Sequence, residues 1–211
     1  MTWFSPPKKQ RGRRLVQLFA GLALYGFSMA LMIEATLGLN PWDVFHQGVA
    51  ERAGWTFGTV TIVVGALVLL LWIPLRQRPG IGTVSNVIVI GIAVDASLWL
   101  VPTPSSLAVR IVFLAVGVVL NGVASGAYIG ANLGPGPRDG LMTGLVARTG
   151  RSVGLIRTGL ELAVLGVGWL LGGTLGIGTL AYALAIGPLV QIFLPLMTVP
   201  ADEPEPASVE A

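Results

Sequence analysis

The chain has 211 residues, of which 54% are hydrophobic and 11% charged, with a formal net charge of +3. A mean hydropathy of +0.79 excludes a soluble domain of ordinary composition, and the absence of cysteine excludes disulfides, thiolate metal sites and thiol catalysis. Most of the net charge is the cluster Lys8, Lys9, Arg11, Arg13 and Arg14, which stands beside an apolar run and so reads as an orientation signal rather than a nucleic-acid site.

In chain order, residues 1–13 form a basic lead-in that is expected to lie in the cytoplasm, with disorder over Met1 to Gln10. Apolar runs near the roughly 20 residues needed to cross a bilayer follow at Leu15 to Leu37, Thr56 to Leu75, Ile81 to Val101, Ile111 to Ala131, Val153 to Leu171 and Leu175 to Val199. The first is long and lacks a small-residue cleavage motif, so it reads as a retained span. Trp42, Trp55, Trp72, Trp99 and Trp169 fall near span ends, where an indole favours the headgroup layer. Residues 200–211 form a short acidic tail, also expected to be disordered.

The six runs are three runs written twice. Residues 14–101 align without a gap on the stretch beginning at Arg110, at a constant offset of 96 positions, and 28 of 88 positions are identical. The membrane repeats are thus 14–101 and 110–199. Three spans are an odd number, so the second repeat is expected to insert upside down relative to the first. The fold class that follows is an all-α polytopic membrane protein. It has six transmembrane helices as two inverted three-helix repeats, and both termini in the cytoplasm.

Between the first and second spans of each repeat lies a short segment, Pro41 to Ala53 and Pro137 to Thr149. Were both to cross, the chain would have eight spans and parallel repeats. Thirteen helical residues reach only about 20 Å against a hydrocarbon layer of about 30 Å, which favours six spans. Asn40 is a good N-cap, Pro41 suits the first helical position, Asp43 faces the positive end of the helix dipole and Gly54 supplies a stop; Gly136, Pro137, Asp139 and Gly150 repeat the plan. Two readings stand for these half-length helices. They enter the membrane and line a cavity, or they lie flat at its surface on the stripe of Val44, Phe45, Gly48 and Val49.

Candidate pathway residues are therefore Asn40, Pro41, Asp43 and His46 in the first copy and Gly136, Pro137, Arg138 and Asp139 in the second. Arg138 is expected to neutralise Asp139, leaving the Asp43 end more negative. His46, three residues from Asp43, is placed for a local hydrogen bond or a proton exchange. Within the spans, Asp95, Glu161 and Arg157 are candidates for coupling, because charge in hydrocarbon usually faces a bundle interior; a simple Arg157–Glu161 pair on one helix is the alternative. No phosphate loop, zinc-type or nucleophile-elbow motif is present, so no catalytic residue, metal or cofactor is expected and the chain does not read as an enzyme.

The segments Gly38 to Gly48, Gly80 to Thr83 and Gly134 to Leu141, following the Arg-rich start, together resemble the bacterial YczE/YyaS/YitT membrane-protein family over nearly the whole chain. That resemblance implies a small integral protein of the bacterial cytoplasmic membrane and carries no biochemical activity with it. Some members bear a soluble C-terminal domain, which is not expected after the last span here. The functional expectation is a small-solute permease or exporter with its site where the repeats meet, with lipid and an unidentified small solute as partners and a homodimer as a further option. The alternatives are a non-transporting scaffold or regulatory partner, and a small channel.

Overall fold

A computed structural model describes residues 10–200, so the expected disorder of residues 1–9 and 201–211 lies outside the described residues. Eight helices run through it: α1 (Arg11–Ala35), α2 (Pro41–Ala53), α3 (Phe57–Leu75), α4 (Ile81–Leu100), α5 (Leu107–Gly130), α6 (Pro137–Thr149), α7 (Val153–Leu170) and α8 (Ile177–Met197). All except α2 and α6 are long and apolar enough to cross a membrane. Their outward faces carry exposed leucine, isoleucine and valine, among them Leu67, Leu70, Ile92, Leu162 and Leu184, which suits contact with lipid.

Helices α1 and α5 begin about one turn before their apolar runs, because each first turn contains an arginine that is used internally. Arg14 is fully buried and donates to Ala131 O at 3.0 Å and Pro200 O at 2.6 Å. Its counterpart Arg110 donates to Pro104 O and to Thr36 Oγ1. Arg110 thus ties the end of α1 to the segment before α5.

The expected starts and stops of α2 and α6 are present. Asn40 Oδ1 accepts from Asp43 N at 3.0 Å, and Gly54 and Gly150 take positive φ of 69° and 67°, the left-handed region that glycine enters without a Cβ penalty.

At the centre α1 packs along α5, with α4 against α1 and α8 against α5; α2 lies on α7, and α6 on α3. The contacts repeat at the offset of the sequence duplication. A Cβ at Gly26 would lie 2.6 Å from Ala93 Cβ, and one at Gly122 would lie 2.6 Å from Leu189 Cβ. Gly178 N donates to Leu37 O at 2.7 Å, as Gly82 N does to Leu133 O at 2.8 Å. Arg52 donates to Leu170 O and Leu171 O, and Arg148 to Pro74 O. These small-residue contacts let helix backbones approach closely, the usual basis of helix association in lipid.

The same contacts sort the helix ends into two faces. Arg14 ties the start of α1 to the ends of α5 and α8, so both described chain ends share one face, here the terminal face. The end of α1 meets the start of α8 through Leu37 and Gly178, and the segment after α4 through a Glu34–Thr103 hydrogen bond; these make the opposite face.

Two of the tryptophans depart from the expected membrane belt. Trp42 and Trp72 are buried, and Trp72 Nε1 donates to Pro137 O at 3.0 Å. Both indoles serve the short helices, Trp42 from within α2 and Trp72 through its bond to the start of α6. Trp55, Trp99 and Trp169 stay exposed.

Candidate functional site

The short helices position the site. Helix α2 is buried around most of its first two turns, with Trp42, Asp43, Val44, His46 and Gly48 all buried. Such burial is what a helix entering the protein requires. Its N-terminus meets that of α6: Arg138 Nη2 lies 3.6 Å from Asp43 Oδ1, and the Arg138 guanidinium sits 4.9 Å above the Trp42 ring. A planar guanidinium suits both roles at once.

Asp43 is 0% exposed. Asn40 Nδ2 donates to its Oδ2, while its Oδ1 has no hydrogen bond and faces only His46 Nδ1 at 3.5 Å and Arg138. Arg138 is not reserved for its neighbour Asp139: its guanidinium also reaches across to the other copy's carboxylate. The Asp43 end is therefore not left with uncompensated negative charge. His46 Nδ1 also lies 3.5 Å from Thr61 Oγ1, and its ring stands edge-on to Phe57.

Beside this junction is a cavity of about 450 Å³. It gathers Asn40, Pro41, His46, Gly136, Pro137, Arg138, Asp139, Arg157 and Glu161 from the sequence candidates, with Trp42, Asn86 and Gln191; Asp43 lies behind the wall. Asp139 differs from Asp43 because its cap position is glycine, so no side chain holds it as Asn40 holds Asp43. On α7, Arg157 Nε donates to Glu161 Oε1 at 3.1 Å, with both side chains substantially exposed. The intrahelical pair and the cavity placement are therefore both real.

Asp95 lies elsewhere, on the seam between α3 and α4. It accepts from Gly58 N at 2.7 Å and from Thr56 Oγ1 at 2.6 Å.

All three tyrosines of the chain line the cavity, and none is among the candidate pathway residues. Tyr182 Oη donates to Asn121 Oδ1 at 2.9 Å, and Asn121 Nδ2 to Ser28 Oγ at 2.9 Å; Tyr25 and Tyr128 pack edge to face. The available signal was a phenol in the middle of an apolar span, since a buried O–H needs a partner.

The fold and the site define an all-α, multi-pass membrane protein with a cavity lined by both polar and apolar side chains. Residues 12–195 match DUF6198, a family of unknown function, and the chain belongs to that family. It is 37% identical over 179 residues to an uncharacterized protein of Haemophilus influenzae, covering 85% of this chain and 82% of the relative. To the uncharacterized membrane protein YczE of Bacillus subtilis it is also 37% identical, with 84% and 83% covered, and to YyaS of that organism 24%, with 84% and 90% covered. No solved structure matches the chain.

Proposed function

We propose that the protein is a small-solute permease or exporter of the bacterial cytoplasmic membrane, built from two inverted three-helix repeats around the cavity. The carrying observation is the contact between Trp42 and Arg138, which occupy equivalent positions of the two repeats. A residue that touches its own counterpart sits beside a two-fold axis, and an axis joining helices from opposite faces lies in the membrane plane. The grouping of helix ends supports this: α1 ends on the opposite face, with the start of α8, whereas α5 ends on the terminal face, with Arg14. The basic cluster before α1 supports placing the terminal face on the cytoplasmic side.

In this reading Asp43, Asn40, His46 and Arg138 form the fixed junction of the half-helices. Asp139 offers a carboxylate to the solute or a proton, and the exposed Arg157–Glu161 pair opens or reforms as the cavity fills.

Purified protein in liposomes, offered small cationic, zwitterionic and anionic solutes, tests the proposal. At least one class is expected to move, and Asp139→Asn is expected to slow it by about ten- to a hundredfold, the weight of one charge-assisted hydrogen bond. Movement of none, with unaltered behaviour of Asp43→Asn and Asp139→Asn cells, would contradict it and favour a scaffold.

A further inference from the structure

The two halves share most of their helix contacts, and the largest exception, α3 packed on α4 without a matching α7 on α8, borders the cavity. In the first half α3 and α4 are zipped together at the end nearer the opposite face. A Cβ at Gly58 would overlap Gly91 O, one at Gly91 would lie 2.5 Å from Ile62 Cγ1, and Asp95 bonds both Gly58 N and Thr56 Oγ1 across the seam. The equivalent positions of the second half keep the same glycines, Gly154 and Gly187. Neither has any atom within 4 Å of where its Cβ would stand, and α7 packs on α2 and α6 but not on α8. Arg157 and Glu161 on one side of that gap and Gly187 and Gln191 on the other all line the cavity.

A glycine pair without Cβ atoms is what a close helix crossing needs. In the first half it is used, and in the second it faces empty space. Pro188 follows Gly187 inside α8 and removes one amide donor there, giving α8 a weak point at the unused contact.

We propose that α3–α4 and α7–α8 are the two gates of the cavity, and that the structure is one of two states related by exchange of the repeats. In the other state Gly154 and Gly187 come together, Ser152 and Gln191 meet as Thr56 and Asp95 meet here, and the α3–α4 seam parts. This rests on the transport reading and adds the location of both gates. It makes Asp95 a positioning residue of the opposite-face gate, acting through the α3 start and not on the solute.

The chain has no native cysteine, so paired cysteines in the full-length protein in native membranes test this without a known solute. Thr56→Cys with Asp95→Cys marks the α3–α4 gate, and Ser152→Cys with Gln191→Cys marks the α7–α8 gate. Under a mild copper oxidant both pairs are expected to cross-link. Gly91→Leu, which wedges the first seam, is expected to raise the Ser152/Gln191 yield at least threefold and lower the Thr56/Asp95 yield; Gly187→Leu is expected to do the reverse. Opposed responses uphold the exchange even if no solute ever moves, which would count against the transport reading alone. The proposal is overturned if Ser152/Gln191 never cross-links while Thr56/Asp95 does, or if the two yields change in the same direction in folded wedge variants.

Discussion

Arg138→Ala is expected to destabilise the protein more than the removal of both charges at the junction. Asp43 is inaccessible to solvent, and Arg138 is the cation beside its otherwise unbonded Oδ1. Removing one partner of a fully buried ion pair costs about 3–5 kcal/mol, and the loss here should fall below that because the Arg138 side chain keeps 31% of its surface exposed. Asp43→Asn keeps the shape and the contact with Asn40 while removing that charge, so Asp43→Asn with Arg138→Ala should recover a large part of the loss. Arg138→Lys keeps the charge but gives up the flat contact with Trp42 and should fall between. Thermal unfolding of the four purified variants checks this order. Equal losses for Arg138→Ala and the double variant would show that the two N-termini do not depend on each other's charge.

Gly140→Val is expected to have the largest effect of any conservative change on α6. A Cβ at Gly140 would overlap the Trp72 ring, and that ring is held by burial and by its bond to Pro137 O. Overpacking of this kind typically costs about 1–3 kcal/mol and more where the neighbour cannot turn.

The other repeat supplies the remedy. Where Gly140 faces the Trp72 ring, its counterpart Val44 lies with its backbone against Gly168, so the larger residue stands on the long helix in one copy and on the short helix in the other. Gly140→Val with Trp72→Gly imitates the first-half arrangement and should be more stable than Gly140→Val alone, by a coupling of about 0.5–3 kcal/mol. Valine does not fill the space of an indole, so recovery should be partial. Additive losses would show that the equivalence of the two helix contacts is only approximate.

The long helices and the bounds of α2 and α6 were legible because their signals are local. Apolar length, Pro41 after Asn40 and Gly54 at the stop need no tertiary partner to be read. The duplication was equally legible, and it located the contacts that the structure repeats at Gly26 and Gly122. What sequence did not disclose is which partner each charge chooses. Asp139 stands next to Arg138 in the chain, yet the guanidinium also serves Asp43 from the other copy, because that partner is set by the meeting of two helices far apart in sequence. Trp72 was misread for the same reason: an indole near a span end looks like a headgroup anchor until α6 is found lying on it. The gate asymmetry was beyond reach altogether, since Gly58, Gly91, Gly154 and Gly187 are the same residue in both halves and differ only in what approaches them.

The central claim is a cavity reached from both faces through half-helices that enter from opposite sides. Impermeant thiol labelling of single cysteines in right-side-out and inverted vesicles tests it most directly. Glu51→Cys, at the end of α2, should label only from outside, and Thr149→Cys, at the end of α6, only from the cytoplasmic side. Asn86→Cys, in the cavity wall, should label from both. Failure of Asn86→Cys to label from either face, with both end markers behaving as stated, would mean a closed, dry centre and would contradict the account.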